Sequence, residues 1–224
     1  LGTIRASTSS LLALVEDVLD ISAIEAGKLR VVVQPFSLRE VVNSVDLVLQ
    51  PGARAKRLDY VSTVADDVPD LLLGDPAHLR QVLTNLVGNA VKFTRAGSVR
   101  FDVGTASAPS DTLRLKFTVA DTGIGIPASA RARLFEAFEQ GDTTLSRDFG
   151  GTGLGTSIAK RLTEAMGGTI GFESTENAGS RFWVEVPFEQ VDALGAAGPD
   201  QAGLLEPVTR IDTQPVNVIA FSDP

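Results

Sequence analysis

Asn85, Asn89 and Lys92 stand at i, i+4 and i+7, so on a helix they share one face. Amide oxygens are acceptable hard ligands for Mg²⁺, which keeps several waters and leans on substrate phosphates. A lysine one turn further on could neutralise phosphate charge. A solvated polar helix face offers the same trio, so it decides nothing alone. Two glycine clusters follow, Asp121-Thr122-Gly123-Ile124-Gly125-Ile126 and Gly150-Gly151-Thr152-Gly153-Leu154-Gly155. Glycine accepts φ > 0 without penalty, so both read as places where backbone bends tightly or lies against a ligand. The second cluster opens a helix predicted over 154–166, whose first N–H groups would suit phosphate. Neither cluster ends in Gly-Lys-Ser/Thr, and Gly151-Thr152-Gly153-Leu154-Gly155-Thr156 lacks the third glycine of the dinucleotide fingerprint. A nucleotide pocket of a different type is indicated.

The elements that must hold these residues are legible in periodicity. Residues 1–26 read as one helix, with Ile4, Leu11, Leu12, Val15, Val18, Leu19 and Ile24 at helical spacing and Gly27 as a C-cap. At roughly 40 Å it needs partner helices, as in a bundle with a second chain; an ordinary core helix is the alternative. Residues 29–36 read as a strand. Ser37 and Glu40 form a capping box for a helix to about 50, and 58–64 reads as another strand. Asp75-Pro76 starts the helix that carries Asn85, Asn89 and Lys92 and ends near 93. Residues 98–105 and 112–121 alternate like hairpin strands. A short helix is predicted over 131–138 and a polar loop over 139–149. Residues 169–174 and 180–187 form a last hairpin. Beyond about 190 the chain is Pro-, Gly- and Ala-rich and reads as linker, with an apolar end at 216–221.

Composition narrows the partners. The chain has 224 residues, 43% hydrophobic, and a formal net charge of -8. That balance disfavours nucleic acid and anionic membrane surfaces, so an anionic nucleotide must be held by local cations, backbone N–H groups and Mg²⁺. No apolar run reaches bilayer-spanning length. Without cysteine there is no disulfide, thiolate zinc site or thiol catalysis, which fits a reducing compartment. The chain starts at Leu1 with no methionine or signal-like stretch, inside a predicted helix, and reads as a piece of something longer.

Four ordered stretches carry a resemblance: Asn85-Leu-Val-Gly-Asn89-Ala-Val-Lys92-Phe93-Thr94, Asp121-Thr-Gly-Ile-Gly125, Leu134-Phe135-Glu136-Ala137-Phe138 and Gly151-Thr-Gly-Leu-Gly155. In order and spacing they resemble the N, G1, F and G2 boxes of sensor histidine kinases, over about residues 37–188. The preceding Val18-Leu-Asp-Ile-Ser-Ala-Ile-Glu-Ala-Gly27-Lys28 looks like the second helix of that family's dimerisation and phosphoacceptor domain. The tail resembles the linker before a receiver domain. The whole looks most like the hybrid kinases that sense diffusible fatty-acid quorum signals in plant-pathogenic bacteria. The resemblance implies an α+β fold, a two-layer sandwich of the GHKL (Bergerat) ATP-binding type after one long bundle helix. The implied domains are 1–28, 29–189 (ATP binding) and 190–224. The implied activity is transfer of the ATP γ-phosphoryl to a histidine outside this chain. It also implies a homodimer through the first helix, downstream receiver and phosphotransfer domains, and a place on the cytoplasmic face of a protein seated in the bacterial inner membrane.

Carried over residue by residue, Asp121 would accept from the exocyclic amine of adenine, although a strand-end turn aspartate is the plainer reading. Asn89 would coordinate Mg²⁺ with Asn85 in support, and Lys92 and Arg147 would contact phosphate. Gly123, Gly125, Gly151, Gly153 and Gly155, with Thr152 and Leu154 between them, would let backbone approach the nucleotide. Phe135 and Phe138 would anchor the lid, or else are plain core aromatics. Two positions depart from the family: Asp148 stands where a basic residue is usual, and Thr156 replaces a leucine, a change expected to matter little. Asp148 would repel triphosphate by a modest, screened amount. His78, the one histidine, lies outside the phosphoacceptor motif and is expected at the surface, so this chain should not autophosphorylate on that family's histidine. Two rivals stay open. Hydrolytic ATPases of the superfamily carry a glutamate general base where Asn85 stands, and an amide cannot take that proton. A degenerate nucleotide domain used for dimerisation or docking is the other.

Overall fold

Ser37 closes the first strand, β1 (Gln34–Ser37), and caps the first described helix, α1 (Leu38–Ala55), its hydroxyl accepting from the Glu40 N–H at 3.2 Å. The computed structural model describes residues 29–106, 112–136 and 153–191. The helix expected over 1–26, the loop expected over 139–149 and the tail from 192 onward lie outside the described residues. α1 continues past its expected end, through Pro51, to Ala55. Proline removes one helical donor, but Ala53 is fully buried beyond it and the Lys56 N–H donates to the carbonyls of Gly52 and Ala53.

Asp75 and Pro76 start α2 (Pro76–Phe93) as predicted, one carboxylate oxygen accepting from the N–H groups of Ala77 and His78 at 3.1 and 3.0 Å. The other oxygen accepts from the Val32 N–H at 2.8 Å and stands 2.7 Å from His78 Nδ1. Two expectations are corrected here. Residues 29–33 are not strand, because Val32 bonds to a helix cap and pairing begins only at Gln34. His78 is not a surface residue: its side chain is 20% exposed, held against buried Asp75.

The remaining elements are β2 (Asp59–Val64), β3 (Leu71–Gly74), β4 (Ser98–Thr105), β5 (Leu113–Asp121), α3 (Ala128–Arg131), α4 (Gly155–Ala165), β6 (Thr169–Thr175) and β7 (Gly179–Gln190). The strands form one sheet in the order β1-β3-β7-β5-β4-β2, with β6 also on β7. β2 and β4 run parallel, and the other described pairings are antiparallel. Alternation buries Phe101, Phe117, Val119 and Val184 on one sheet face. Leu38 and Val41 of α1, Leu79 and Leu83 of α2, and Ile158 and Leu162 of α4 join them in one core. The result is the expected α+β two-layer sandwich, three helices over one face of a mixed sheet.

β3 was not foreseen. Its partners β1 and β7 are remote in sequence, and three leucines before Gly74 are too few for a period. Missing β3 also hid the end of β7, which runs past 187 because Glu189 and Gln190 pair with Leu73 and Leu72. The helix expected over 131–138 lies earlier. It follows Pro127, spans Ala128–Arg131 and gives way to turns at 132–135.

Candidate functional site

Packing fixes the rotation of α2, and that rotation makes the site. Leu79, Leu83, Leu86 and Ala90 face the core, which brings Asn85, Asn89 and Lys92 to a half-buried flank. Asn85 Nδ2 is buried and has no hydrogen-bond partner among the described residues. Such a donor is costly unless something else accepts from it. Beside it stands Gly155: a Cβ built there would lie 3.5 Å from Asn85 Oδ1. α4 begins at this glycine, after Gly153 turns the chain at φ +72°, and Leu154, its N-cap, offers no side-chain bond. Ser37 and Asp75 cap α1 and α2 with their side chains. A helix start without a side-chain cap, next to a buried amide donor, is an arrangement that can receive an anion.

The other end of α2 meets the 121–126 loop. The Phe93 carbonyl accepts from the Ile124 N–H at 3.4 Å, and a Cβ on Gly123 would fall 2.6 Å from the same oxygen. Gly125, at φ +64°, leaves no room for a Cβ against the Thr175 carbonyl, 2.0 Å away. Sequence reasoning gave both glycines to ligand approach, but packing already requires them. Asp121 ends β5, half-buried, and accepts at Oδ1 from the Gly123 N–H at 2.8 Å and from the Ser180 backbone. Burial raises its pKa above the ordinary 3.8, with the two backbone donors pulling the other way. Its carboxylate has lone pairs to offer a further donor.

Lys92 Nζ lies 4.8 Å from the centroid of the Phe93 ring, and burial lowers its pKa. Lys56 was missed. Its Nζ donates to the carbonyls of Val91, Lys92 and Thr94 at 2.7, 2.8 and 3.3 Å, closing the C-terminal end of α2. No motif could have shown it, because the contact spans 36 residues.

Phe135 packs edge-on against Phe172, centroids 5.6 Å apart, and Phe172 stacks on Phe182. Phe135 is half-buried and lies outside the buried core cluster, so this contact is compatible with both of its readings. Thr156 was expected to matter little, but its hydroxyl donates to the Leu134 carbonyl at 2.9 Å. The described residues therefore bring together Asn85, Asn89, Lys92, Asp121, Gly123 and Gly155, with Gly153 and Leu154 at the mouth of α4. Phe138, Arg147, Asp148, Gly151 and Thr152 lie outside the described residues.

Residues 74–190 match the family described as histidine kinase-, DNA gyrase B-, and HSP90-like ATPase. The chain belongs to this ATPase family. Its relatives include the sensory/regulatory protein RpfC of Xanthomonas campestris pv. campestris, 57% identical over all of this chain and 31% of RpfC. The sensor histidine kinase GacS of Pseudomonas protegens is 46% identical over 91% of this chain and 22% of GacS. Among solved structures, full-length ShkA in complex with AMPPNP matches with a TM-score of 0.72 and 37% identity, over 86% of this chain and 39% of ShkA. The chain thus spans less than a third of the curated relatives it matches. Its ATPase-family fold is that of the ATP-binding catalytic domain of sensor histidine kinases. No described helix is long and apolar enough to cross a membrane.

Proposed function

We propose that this chain is the ATP-binding catalytic region of a hybrid sensor histidine kinase, which transfers the γ-phosphoryl of ATP to a histidine on a separate helix. The observation that supports this most is the buried Asn85 Nδ2, without a partner among the described residues, beside Gly155 at the start of α4, which has no side-chain cap. Asp121 would select adenine by accepting from its 6-amino group, where guanine carries a carbonyl that cannot donate. Lys92 would offset phosphate charge. Among the described residues no group of three or more His, Asp or Glu could hold a metal. Mg²⁺ would therefore be held by the amide oxygens of Asn89 and Asn85 together with the phosphates, a fitting set for an ion that keeps its waters. Once bound, it would neutralise charge on the β- and γ-phosphates.

In the reaction a neutral imidazole nitrogen attacks the γ-phosphorus, the bond to the bridging oxygen breaks, ADP leaves and the imidazole N–H proton goes to solvent. The imidazole is already nucleophilic, so the domain's residues mainly position the phosphates and balance charge. Asn85 cannot act as a general base for water, so hydrolysis is not what the site favours.

In the whole protein, residues 1–28 would be the dimerising helix that follows the phosphoacceptor, and 190–224 the link to a receiver domain. The whole protein would sit at the bacterial inner membrane, with this region on its cytoplasmic face. The test is to incubate the chain with γ-labelled ATP and a supplied two-helix fragment bearing the histidine. Acid-labile label on that fragment, lost in Asn89→Ala, is expected. Release of inorganic phosphate with no transfer would favour a hydrolase instead.

A further inference from the structure

Leu134 and Phe135 lie in the turn after α3, where the backbone bonds are local. Leu134 N–H donates to Arg131 at 3.4 Å and Glu136 N–H to Arg133 at 2.9 Å. α4 supplies the tertiary contacts. Thr156 and Lys160 are four residues apart and so share one helix face. The Thr156 hydroxyl donates to the Leu134 carbonyl at 2.9 Å, and Lys160 Nζ stands 5.7 Å from the Phe135 ring centroid. Phe172 of β6 meets the same ring edge-on. The grip sits one residue beyond Gly155, where α4 meets Asn85 without a side-chain cap of its own.

We propose that Thr156 is a positioning residue for nucleotide binding: by clasping the Leu134 carbonyl it fixes the first turn of α4, and so the backbone N–H groups at 153–156, against Asn85. The proposal rests on the reading of this site as an ATP site. Hydrogen bonds weaken steeply with misalignment, so an α4 start free to shift presents its donors less well. Leucine, the residue that the family resemblance puts here, has no donor for such a clasp. By linkage the coupling runs both ways: nucleotide at α4 must also steady the 131–136 turn.

The experiment uses the whole chain and its Thr156→Val, Thr156→Leu and Thr156→Ser variants, each shown to be folded by circular dichroism. Calorimetry with Mg²⁺ and AMPPNP gives affinity, and amide hydrogen exchange across 131–136 is followed with and without nucleotide. Valine and leucine are expected to weaken binding about fivefold, the worth of one neutral hydrogen bond, while serine restores it. AMPPNP should slow exchange at Glu136 in the wild type and in Thr156→Ser, but not in Thr156→Val. Wild-type affinity and wild-type protection in Thr156→Val would overturn the proposal. Faster Glu136 exchange in nucleotide-free Thr156→Val supports the clasp by itself, and unchanged exchange refutes it. A wild type that binds no AMPPNP would instead overturn the ATP reading, and with it the clasp's effect on nucleotide.

Discussion

Asp121 serves two opposed demands. As a half-buried carboxylate it costs the fold stability when ionised, and in the proposed site it would be the acceptor for an adenine amine. Its pKa is raised in the folded state, so its contribution to stability is most favourable below the ordinary 3.8 and is lost as pH rises through the raised value. Asp121→Asn keeps an acceptor for Gly123 and carries no charge. The variant should melt higher than the wild type at neutral pH, with the gap closing as pH falls towards 3.8, while adenine-nucleotide binding is lost. Thermal melts across that range check the first outcome and calorimetry the second. Asn85 makes a similar contrast. Asn85→Ala removes a buried donor that has no partner among the described residues, so the nucleotide-free fold should lose less than about 0.5 kcal/mol in a denaturant titration. Affinity for Mg-ATP should nonetheless fall about tenfold or more, the cost of a hydrogen bond to a charged group. Residues 85, 89, 92 and 121 could be proposed from the sequence only because the glycine loops and the four ordered stretches stand beside them, since a solvated helix face offers the same trio. Thr156, Lys56 and the packing cause of Gly123 and Gly125 were not legible. Each depends on a carbonyl that the fold brings from elsewhere in the chain.

At the scale of elements, α2 is the part on which the site depends, and both its ends are tied down. Asp75 holds the start and Lys56 the finish. Lys56→Met should destabilise the fold by about 1–2 kcal/mol, since charge-assisted bonds to three carbonyls are lost from a partly solvated side chain. The urea midpoint would report it. Nucleotide affinity should drop as well, because Lys92 sits on the turn that Lys56 closes. Gly125→Ala combines a left-handed φ with a backbone collision and should cost at least about 2 kcal/mol. Elements with strong local signals were readable: the Asp75-Pro76 helix start, and the alternating strands β4 and β5. β3 was not, because four residues acquire strand character only from partners that no local window contains. The misplaced helix near 131 has a comparable cause, since Phe135 packs edge-on against Phe172 of β6, a contact remote in sequence.

For the whole molecule, an acidic chain of net charge -8 must hold an anionic ligand with groups placed for that purpose. The groups proposed for that purpose are the polar flank of α2 and the start of α4, with Asp121 and the 121–126 loop at the other end of α2. Membership of the histidine kinase-, DNA gyrase B-, and HSP90-like ATPase family accounts for that plan. The α+β sandwich was legible from element order together with the four motifs, whereas the sheet's strand order, set by long-range pairing, was not. The measurement that tests the account most directly is a calorimetric titration of the chain with a non-hydrolysable ATP analogue and Mg²⁺. Saturable binding in the micromolar to sub-millimolar range is predicted, absent with the guanine analogue and absent in Asp121→Asn. No heat of binding from a sample shown to be folded would contradict the account and favour a docking module that has kept the fold without the ligand.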